Sequence, residues 1–314
     1  AVDNVLDSSR LEPLLRRLSS RNHRHTIFCE IRPTISYERM RLLRSAGINR
    51  LQPGIESLST HVLACMRKGV TALTNIRFLK WAMELGINVA WNILYGIPGE
   101  TSENYRAMAG IIGRIEHLQP PNHCSQMRLD RFSPYFEDPS EFGLCEIRPS
   151  PAYYIAYPFV EEVVEGIAYS FQYDFSTRPD PSTYVADLLC AVRHWQDDAR
   201  KPVFAYVTRK ESIVLVDTRG GATETTTYLK GLQRELFEAC HDGATLESLA
   251  RNLERPAAQI EKLLMESVER RWVIHQDNRF LSLATRMDEY ISAEIPVAMV
   301  EGVVIATCWM VGRR

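Results

Sequence analysis

Between Thr26 and Glu100 three short apolar segments, TIFCEIRP, NRLQPGIES and NVAWNILYGIPGE, alternate with two helical patterns, SYERMRLLRSAG and TALTNIRFLKWAMELG. In those patterns apolar positions recur every three or four residues, which places them on one face of a helix. Short strands alternating with helices at this rhythm predict parallel βα units and an α/β fold. In a barrel of such units the working face is the carboxyl end of the strands. The polar residues at those ends are therefore the first candidates: Glu30 and Arg32, then Glu56 and Ser57, then Asn92 and Tyr95.

The 314 residues suffice for about two domains and a sizeable core. A net charge of −2 gives no reason to expect non-specific binding to nucleic acid or acidic membrane. Residues 1–50 hold ten arginines against five acids, but these fall on helical patterns and read as a solvated face. Residues 1–25 are charged throughout and lack the apolar start of a secretory signal, so the cytoplasm is the expected compartment. The apolar run from Pro296 to Met310 is too short to span a bilayer and contains Glu301, so a buried strand or amphipathic tail is expected.

Seven cysteines stand at 29, 65, 124, 145, 190, 240 and 308, no two closer than 21 residues. An odd number so dispersed is not a disulfide framework. Zinc and iron–sulfur sites draw at least two ligands from one tight turn, so no metal site is expected either. Each cysteine reads as a small buried hydrophobe.

Taken in order, IFCEIRP, LLRSAGINRLQPGIESLSTHVLACMRKGVT and INVAWNILYGIPGET resemble the middle and later strands of the radical S-adenosylmethionine (SAM) barrel. GIES, MRKG twelve residues on, and LYGIPGE carry the likeness, which is closest to the cobalamin-binding radical SAM proteins that mature ribosomally made peptides. The opening AVDNVLD resembles the end of an earlier strand and MRLDRFSPYF a later one, so the likeness covers roughly the first 145 residues. It implies a partial TIM-like (β/α) barrel and a bound SAM, with Glu56 and Ser57 facing its methionine portion. Lys68 would meet its carboxylate, whose charge needs neutralising on leaving water. Asn92 would meet the ribose, the backbone around Tyr95 and Gly96 the adenine, and Glu30 the ribose and amino group. As an amide in an apolar run, Asn92 is also expected to be buried with a hydrogen-bond partner.

Members of that superfamily hold a 4Fe–4S cluster with a CxxxCxxC loop after the first barrel strand, and this sequence has no such loop. The resemblance therefore implies that the loop and a cobalamin-binding domain lie upstream, and that this chain is the carboxy-terminal part of a longer protein, a fragment or a truncated product. SAM is then the cofactor of these residues. The cluster and cobalamin belong to the full-length parent, and this chain alone is expected to bind no cluster and to be inactive.

Further along, helices are predicted near 11–18, 37–45 and 102–118, followed by the strand CSQMRLDRFSPYF, where Arg128, Asp130 and Arg131 read as a rim ion-pair network or a ligand contact. The aromatic stretches YYIAYPF and VVEGIAYSFQYDF suit a core. A helix over 184–196 and a hairpin over 203–219 follow. Three helical patterns and a short hairpin between 225 and 284 predict a winged-helix-like unit. Such units can place a third helix in DNA, but here residues 256–271 balance three basic against three acidic side chains, and phosphate binding needs a basic surplus. The expected division is a barrel portion over 1–145, an α+β extension over 146–222, the winged-helix-like unit over 223–284 and a tail over 285–314.

The leading functional expectation is part of a radical SAM enzyme acting on a precursor peptide, with cobalamin-dependent C-methylation as its chemistry. No catalytic residue is assigned. Two other classes stay open: a non-catalytic barrel with a winged-helix binding module, and a DNA-binding regulator, against which the neutral third helix speaks. His61, His117, His123, His194, His241 and His275 are scattered and suggest no catalytic pairing of the Ser/His or Cys/His kind.

Overall fold

The structure, a computed structural model, describes residues 8–20, 26–176, 179–197, 201–287, 297–300 and 303–306. Its first part runs α1 (Ser8–Ser19), β1 (Ile27–Glu30), α2 (Tyr37–Ser45), β2 (Ile48–Gln52), α3 (Thr60–Cys65), α4 (Ala72–Glu84), β3 (Asn88–Val89), β4 (Asn92–Tyr95), α5 (Ser102–Ile115) and β5 (His123–Gln126). Polar caps set the helix starts: Ser36, Ser59 and Thr71 each accept from the backbone amide three residues on, satisfying a donor the helix cannot. All strands of this part are parallel. β1, β2 and β3 pair in that order with Glu30 opposite Gln52, and β4 pairs with β5 with Tyr95 opposite Gln126.

β3 and β4 are two halves of one extended run. Ala90 N still donates to Leu51 O at 2.8 Å, whereas Leu94 N donates to Glu56 O at 2.9 Å and Asn122 N to Trp91 O at 2.7 Å. The run thus passes from β2 to β5 while bending at 90–91, and two amide side chains satisfy what the bend leaves over. Gln119 Oε1 accepts from Val89 N and Asn122 Oδ1 from Trp91 N, each at 2.9 Å. The result is a run of parallel strands four wide, β1, β2, β3–β4 and β5. Ile93, Leu51 and Val89 are on one face and are buried, whereas Phe28, Glu30, Arg50, Gln52, Asn88 and Asn92 alternate with them on an exposed face.

The second part comprises β6 (Leu129–Asp130), α6 (Pro134–Glu137), β7 (Leu144–Pro149), α7 (Pro151–Ala156), α8 (Glu161–Ile167), β8 (Ser170–Phe175) and α9 (Ala186–Asp197). β8 lies antiparallel between β6 and β7 over a core of Val62, Ile97, Met127, Leu129, Phe171 and Tyr173. The third part comprises β9 (Phe204–Thr208), β10 (Ser212–Asp217), β11 (Thr226–Lys230), α10 (Gly231–Ala239), α11 (Leu246–Asn252), α12 (Ala257–Glu269), β12 (Val273–Gln276), β13 (Arg279–Ser282) and β14 (Thr285–Arg286). The expected hairpin over 203–219 is β9–β10, extended by β11 on one side and by β14, parallel to β9, on the other. β15 (Val297–Val300) and β16 (Val303–Ala306) pair antiparallel in the tail. Glu301, the opening AVDNVLD and Cys308 lie outside the described residues.

A single apolar cluster continues from Leu15 through the parallel sheet to Leu281, Leu283 and Ala284. That continuity explains α4, where Ile76, Phe78, Leu79, Lys80, Trp81, Ala82 and Glu84 are all buried. A helix covered on several sides needs no polar face.

Two expectations are corrected. Phe171 and Tyr173 are core as the aromatic composition suggested, but Ile155, Tyr157, Phe159, Val160, Ile167 and Tyr169 are exposed. Alternation in β8 sends Phe171 and Tyr173 inward and Gln172 and Asp174 outward, whereas α7 and α8 bury only Val164 fully and half-bury Tyr153, leaving their other large apolar residues uncovered among the described residues. The cysteines are also less buried than expected: only Cys240 is fully so, Cys29, Cys65, Cys124 and Cys145 are half-buried, and Cys190 is exposed. Among the described residues no helix is long and apolar enough to cross a membrane.

Candidate functional site

The carboxyl ends of β1, β2 and β4 lie side by side, and what each displays follows from its alternation. Glu30 is exposed opposite Gln52, and Ile31 N donates to Gln52 O at 3.0 Å. Beyond Gln52 the chain turns at Gly54, whose φ of +36° lies in the left-handed region that a side chain would strain. A Cβ built there would stand 3.6 Å from Lys68 Nζ. Glu56 follows, anchored to β4 through its carbonyl, and its carboxylate accepts from Lys68 Nζ at 3.1 Å. Arg67, with φ +54°, reverses the chain after α3 and brings Lys68 back to this rim. The two side chains are about a third exposed, 32% and 31%, so both charges are reachable from solvent.

Two sequence-predicted residues sit elsewhere. Ser57 is fully buried beneath the rim, with its hydroxyl accepting from Ser59 N at 3.1 Å and donating to Met108 Sδ of α5 at 3.3 Å. Its carbonyl accepts from the buried Asn75 Nδ2 at 3.0 Å. Asn92 is exposed, which corrects the expectation of a buried, bonded amide: it begins β4, three residues or about 10 Å before the rim at Tyr95. There it lines a cleft of about 370 Å³ along the free edge of β5, with His123, Ser125, Leu189, Arg193 and Gln196. One polar residue among apolar neighbours did not mean burial, because alternation puts it on the exposed face of this strand.

Tyr95 and Gly96 lead into a loop built around Glu100, which sequence reasoning did not single out. Tyr95 O accepts from Met127 N at 2.7 Å. Gly96 and Ile97 donate their amides to Glu100 Oε1 and Oε2 at 2.9 and 2.6 Å. The Tyr105 hydroxyl donates to Oε2, and Tyr184, at the entry to α9, donates to Oε1 at 2.7 Å. Burial and the neighbouring Glu100 carboxylate push the Tyr105 phenol well above its ordinary range, so it stays protonated and donates. Gly96, at φ +80°, is hemmed in: an added Cβ would lie 3.0 Å from Gln126 Cγ and 3.6 Å from the Tyr173 hydroxyl. The signal in sequence was an acid closing a Gly-Ile-Pro-Gly turn, whose amides need an acceptor.

His61 Nε2 bonds Gly99 O at 2.9 Å and lies 3.7 Å from Cys65 Sγ, a Cys/His contact that the scattered histidines did not suggest. It is not a nucleophile and base. A ring nitrogen donating to Gly99 O cannot accept the thiol proton, and burial, then Glu100, raise the Cys65 pKa. Arg128 and Asp130 form a two-pronged pair at 2.6 and 2.9 Å, the structural alternative expected for that strand, while Arg131 donates to the carbonyls of Ala168 and Glu165. Among the described residues no group of three His, Cys, Asp or Glu side chains could hold a metal. The described residues therefore do not fit an iron–sulfur cluster. They do fit a zwitterion, since Glu56 and Lys68 present opposite charges at one exposed spot beside a glycine turn.

Residues 3–110 match the family model of the radical SAM superfamily. No curated protein matches the chain. Among solved structures, the chain is similar to the radical SAM methyltransferase TsrM from Kitasatospora setae with cobalamin and a 4Fe–4S cluster bound, at 22% identity and TM-score 0.43 over 59% of this chain and 41% of that one. It is similar to the cobalamin-dependent SAM radical enzyme OxsB, with aqua-cobalamin bound, at 22% identity and TM-score 0.31 over 36% and 18%. It is also similar to coproporphyrinogen III oxidase HemN from Escherichia coli, a radical SAM enzyme, at 16% identity and TM-score 0.35 over 88% and 71%. The chain spans less than half the length of the first two.

Proposed function

We propose that residues 1–145 are part of a radical SAM enzyme and hold SAM across the rim formed by Glu30, Gln52, Glu56, Lys68 and the Gly96 loop. The observation that carries this is the exposed Glu56–Lys68 pair inside the segment that matches the radical SAM superfamily. The methionyl end of SAM is a zwitterion, and a pair of opposite charges already 3.1 Å apart receives one without leaving either charge uncompensated. Lys68 takes the carboxylate, and Glu56 with Glu30 the amino group. Glu100 does not touch the ligand in this reading; it fixes the Gly96 and Ile97 amides so that the loop is set before binding. When bound, SAM supplies the sulfonium group from which such enzymes draw their chemistry.

The finer reading is modification of a ribosomally made peptide by cobalamin-dependent C-methylation in the cytoplasm, and what supports it is the sequence resemblance. In it, 146–222 extends the barrel and 223–284 acts as a winged-helix-like peptide-docking or structural unit rather than a DNA reader. Among the described residues no three His, Cys, Asp or Glu side chains converge as a metal site, and anaerobic reconstitution of this chain is expected to give no 4Fe–4S absorbance.

SAM binding is tested by equilibrium dialysis of labelled SAM against the whole chain and its Lys68→Ala and Glu56→Gln variants. Retention that falls about tenfold or more with either change is expected for a charge-assisted contact. Retention indifferent to both, or none at all, overturns the assignment.

A further inference from the structure

The surface outside β7 and β8 concentrates apolar groups that nothing described covers. Ile155 is 87% exposed, Val160 65% and Phe159 56%, with Tyr157, Ile167 and Tyr169 also open to solvent. Isolated apolar residues on a surface need no explanation, but a contiguous group marks a place where something docks. The group is rigidly presented. Tyr153 accepts from Tyr169 N at 3.0 Å through its hydroxyl, which ties α7 to the start of β8. From that anchor Tyr153, Tyr157 and Phe159 stack at centroid distances of 6.3 and 6.1 Å with planes 21° apart. A preset aromatic ladder loses little entropy on binding.

The charge around it is of one sign. Glu161, Glu162 and Glu165 line α8 and make no ion pair among the described residues. Tyr154 on α7 faces two of them, its phenol raised in pKa by desolvation first and then by Glu161 and Glu165. The basic groups at the margin are already engaged, Arg128 by Asp130, Arg148 by Asp174, and Arg131 by backbone carbonyls. Carboxylates beside aromatic faces repel phosphate and acidic headgroups and attract Lys and Arg, which also gain from lying over aromatic rings.

We propose that α7, the 157–160 loop and α8 form a docking surface for a cationic, amphipathic polypeptide segment whose apolar side chains cover Ile155, Phe159 and Val160 and whose Lys and Arg side chains meet Glu161, Glu162 and Glu165. The inference deepens the peptide-modification reading and rests on it for the partner being a polypeptide.

The test uses fluorescence polarisation without SAM. The probe is a labelled peptide of about twelve residues with Leu and Lys at helical spacing, compared with its Leu/Glu counterpart. The whole chain is measured beside Ile155→Ser/Phe159→Ser and Glu161→Lys/Glu162→Lys/Glu165→Lys variants. All these positions are exposed, so unchanged thermal unfolding is expected to show that each variant folds. The Lys peptide binds the chain, and each variant weakens it about tenfold or more. The charge-reversed variant gains affinity for the Glu peptide, and added salt weakens both complexes.

Absence of binding, or binding indifferent to both variants, overturns the proposal. So does stronger retention on zwitterionic or anionic lipid vesicles than by the Lys peptide, or concentration-dependent dimerisation in sedimentation that Ile155→Ser/Phe159→Ser abolishes. Because SAM is left out, failure here leaves the rim assignment standing. Failure of the dialysis experiment likewise leaves this surface to its own test.

Discussion

Glu100 does at the residue scale what no longer-range feature of the fold could do: it satisfies two backbone amides of a left-handed glycine turn and two phenols, one buried and one half-buried, with one carboxylate. Glu100→Gln keeps the shape but sets an amide NH₂ against a backbone N–H that can only donate. A loss of about 2–4 kcal/mol in urea unfolding is expected, with weaker SAM retention, since leaving buried donors unpaired costs their desolvation. The same scale governs pH dependence through His241, buried with Lys80 Nζ 3.2 Å from its Nδ1 and Glu84 3.4 Å from Nε2. Burial, then the charges of Lys80 and Arg286, push His241 down to about 2. The unfolded chain takes up that proton near pH 6.5 and the folded chain does not, so stability falls as pH drops below that value. Glu84 acts oppositely. Burial raises it to about 7 from 4.5, so the folded chain is protonated first and stability rises as pH falls through that window. The two offset between about pH 6.5 and 4.5, and below that His241 acts alone. Urea midpoints of His241→Gln followed from pH 7 to 3 should fall less steeply below pH 4.5 than those of the parent chain; parallel curves contradict this.

At the scale of elements, α4 links the parallel sheet to the carboxy-terminal helices and hairpin. Lys80, fully buried, donates to His241 O at 2.6 Å and Ser282 O at 3.0 Å, holding the end of α10 and strand β13 to one point. Arg219 and Arg271 do the same farther along, with Arg219 reaching Arg114 O and Arg271 O, and Arg271 reaching Gly113 O and Gly220 O. Lys80→Met removes the charge but orphans those carbonyls. Hydrogen exchange should accelerate through α11, α12, β12 and β13 while β1 and β2 keep their protection; uniform acceleration means that the two parts unfold together rather than by undocking. The strands make a second contrast. Phe28, on the exposed face, is 49% exposed, whereas Ile93, on the buried face, is fully buried. In urea unfolding Phe28→Ser is expected to change stability by less than about 0.5 kcal/mol, and Ile93→Ala to cost about 2–5 kcal/mol. A large loss at Phe28 would show that something covers its face.

For the whole molecule, a net charge of −2 and a third carboxy-terminal helix without basic surplus predict no retention of duplex DNA in a gel shift even at low salt. The βα rhythm from Thr26 to Glu100 and the β9–β10 hairpin were legible in the sequence, because each rests on periodicity, whereas the short helix α3 and the caps of α2, α3 and α4 came from the structure. The contact of Lys68 with Glu56 was not legible from spacing; the resemblance implied only that both face SAM. The burial of Ser57, the exposure of Asn92 and the uncovered aromatics of 155–169 were not legible. Each depends on which face of a strand or helix another element covers, and composition carries no record of that. The sequence alone determined the strands and helices of clear apolar period, β1, β2, β4, α2, α4 and α5, since local hydrogen bonding and apolar period act within a few residues; where it implied one strand over CSQMRLDRFSPYF, the chain forms β5, β6 and the helix α6. Only the tertiary structure decided that Glu100 gathers the Gly96 loop, that Lys80 of α4 is buried against His241 and Ser282, and that the face carrying Phe28 and Asn92 stays exposed, because each depends on elements distant in the chain.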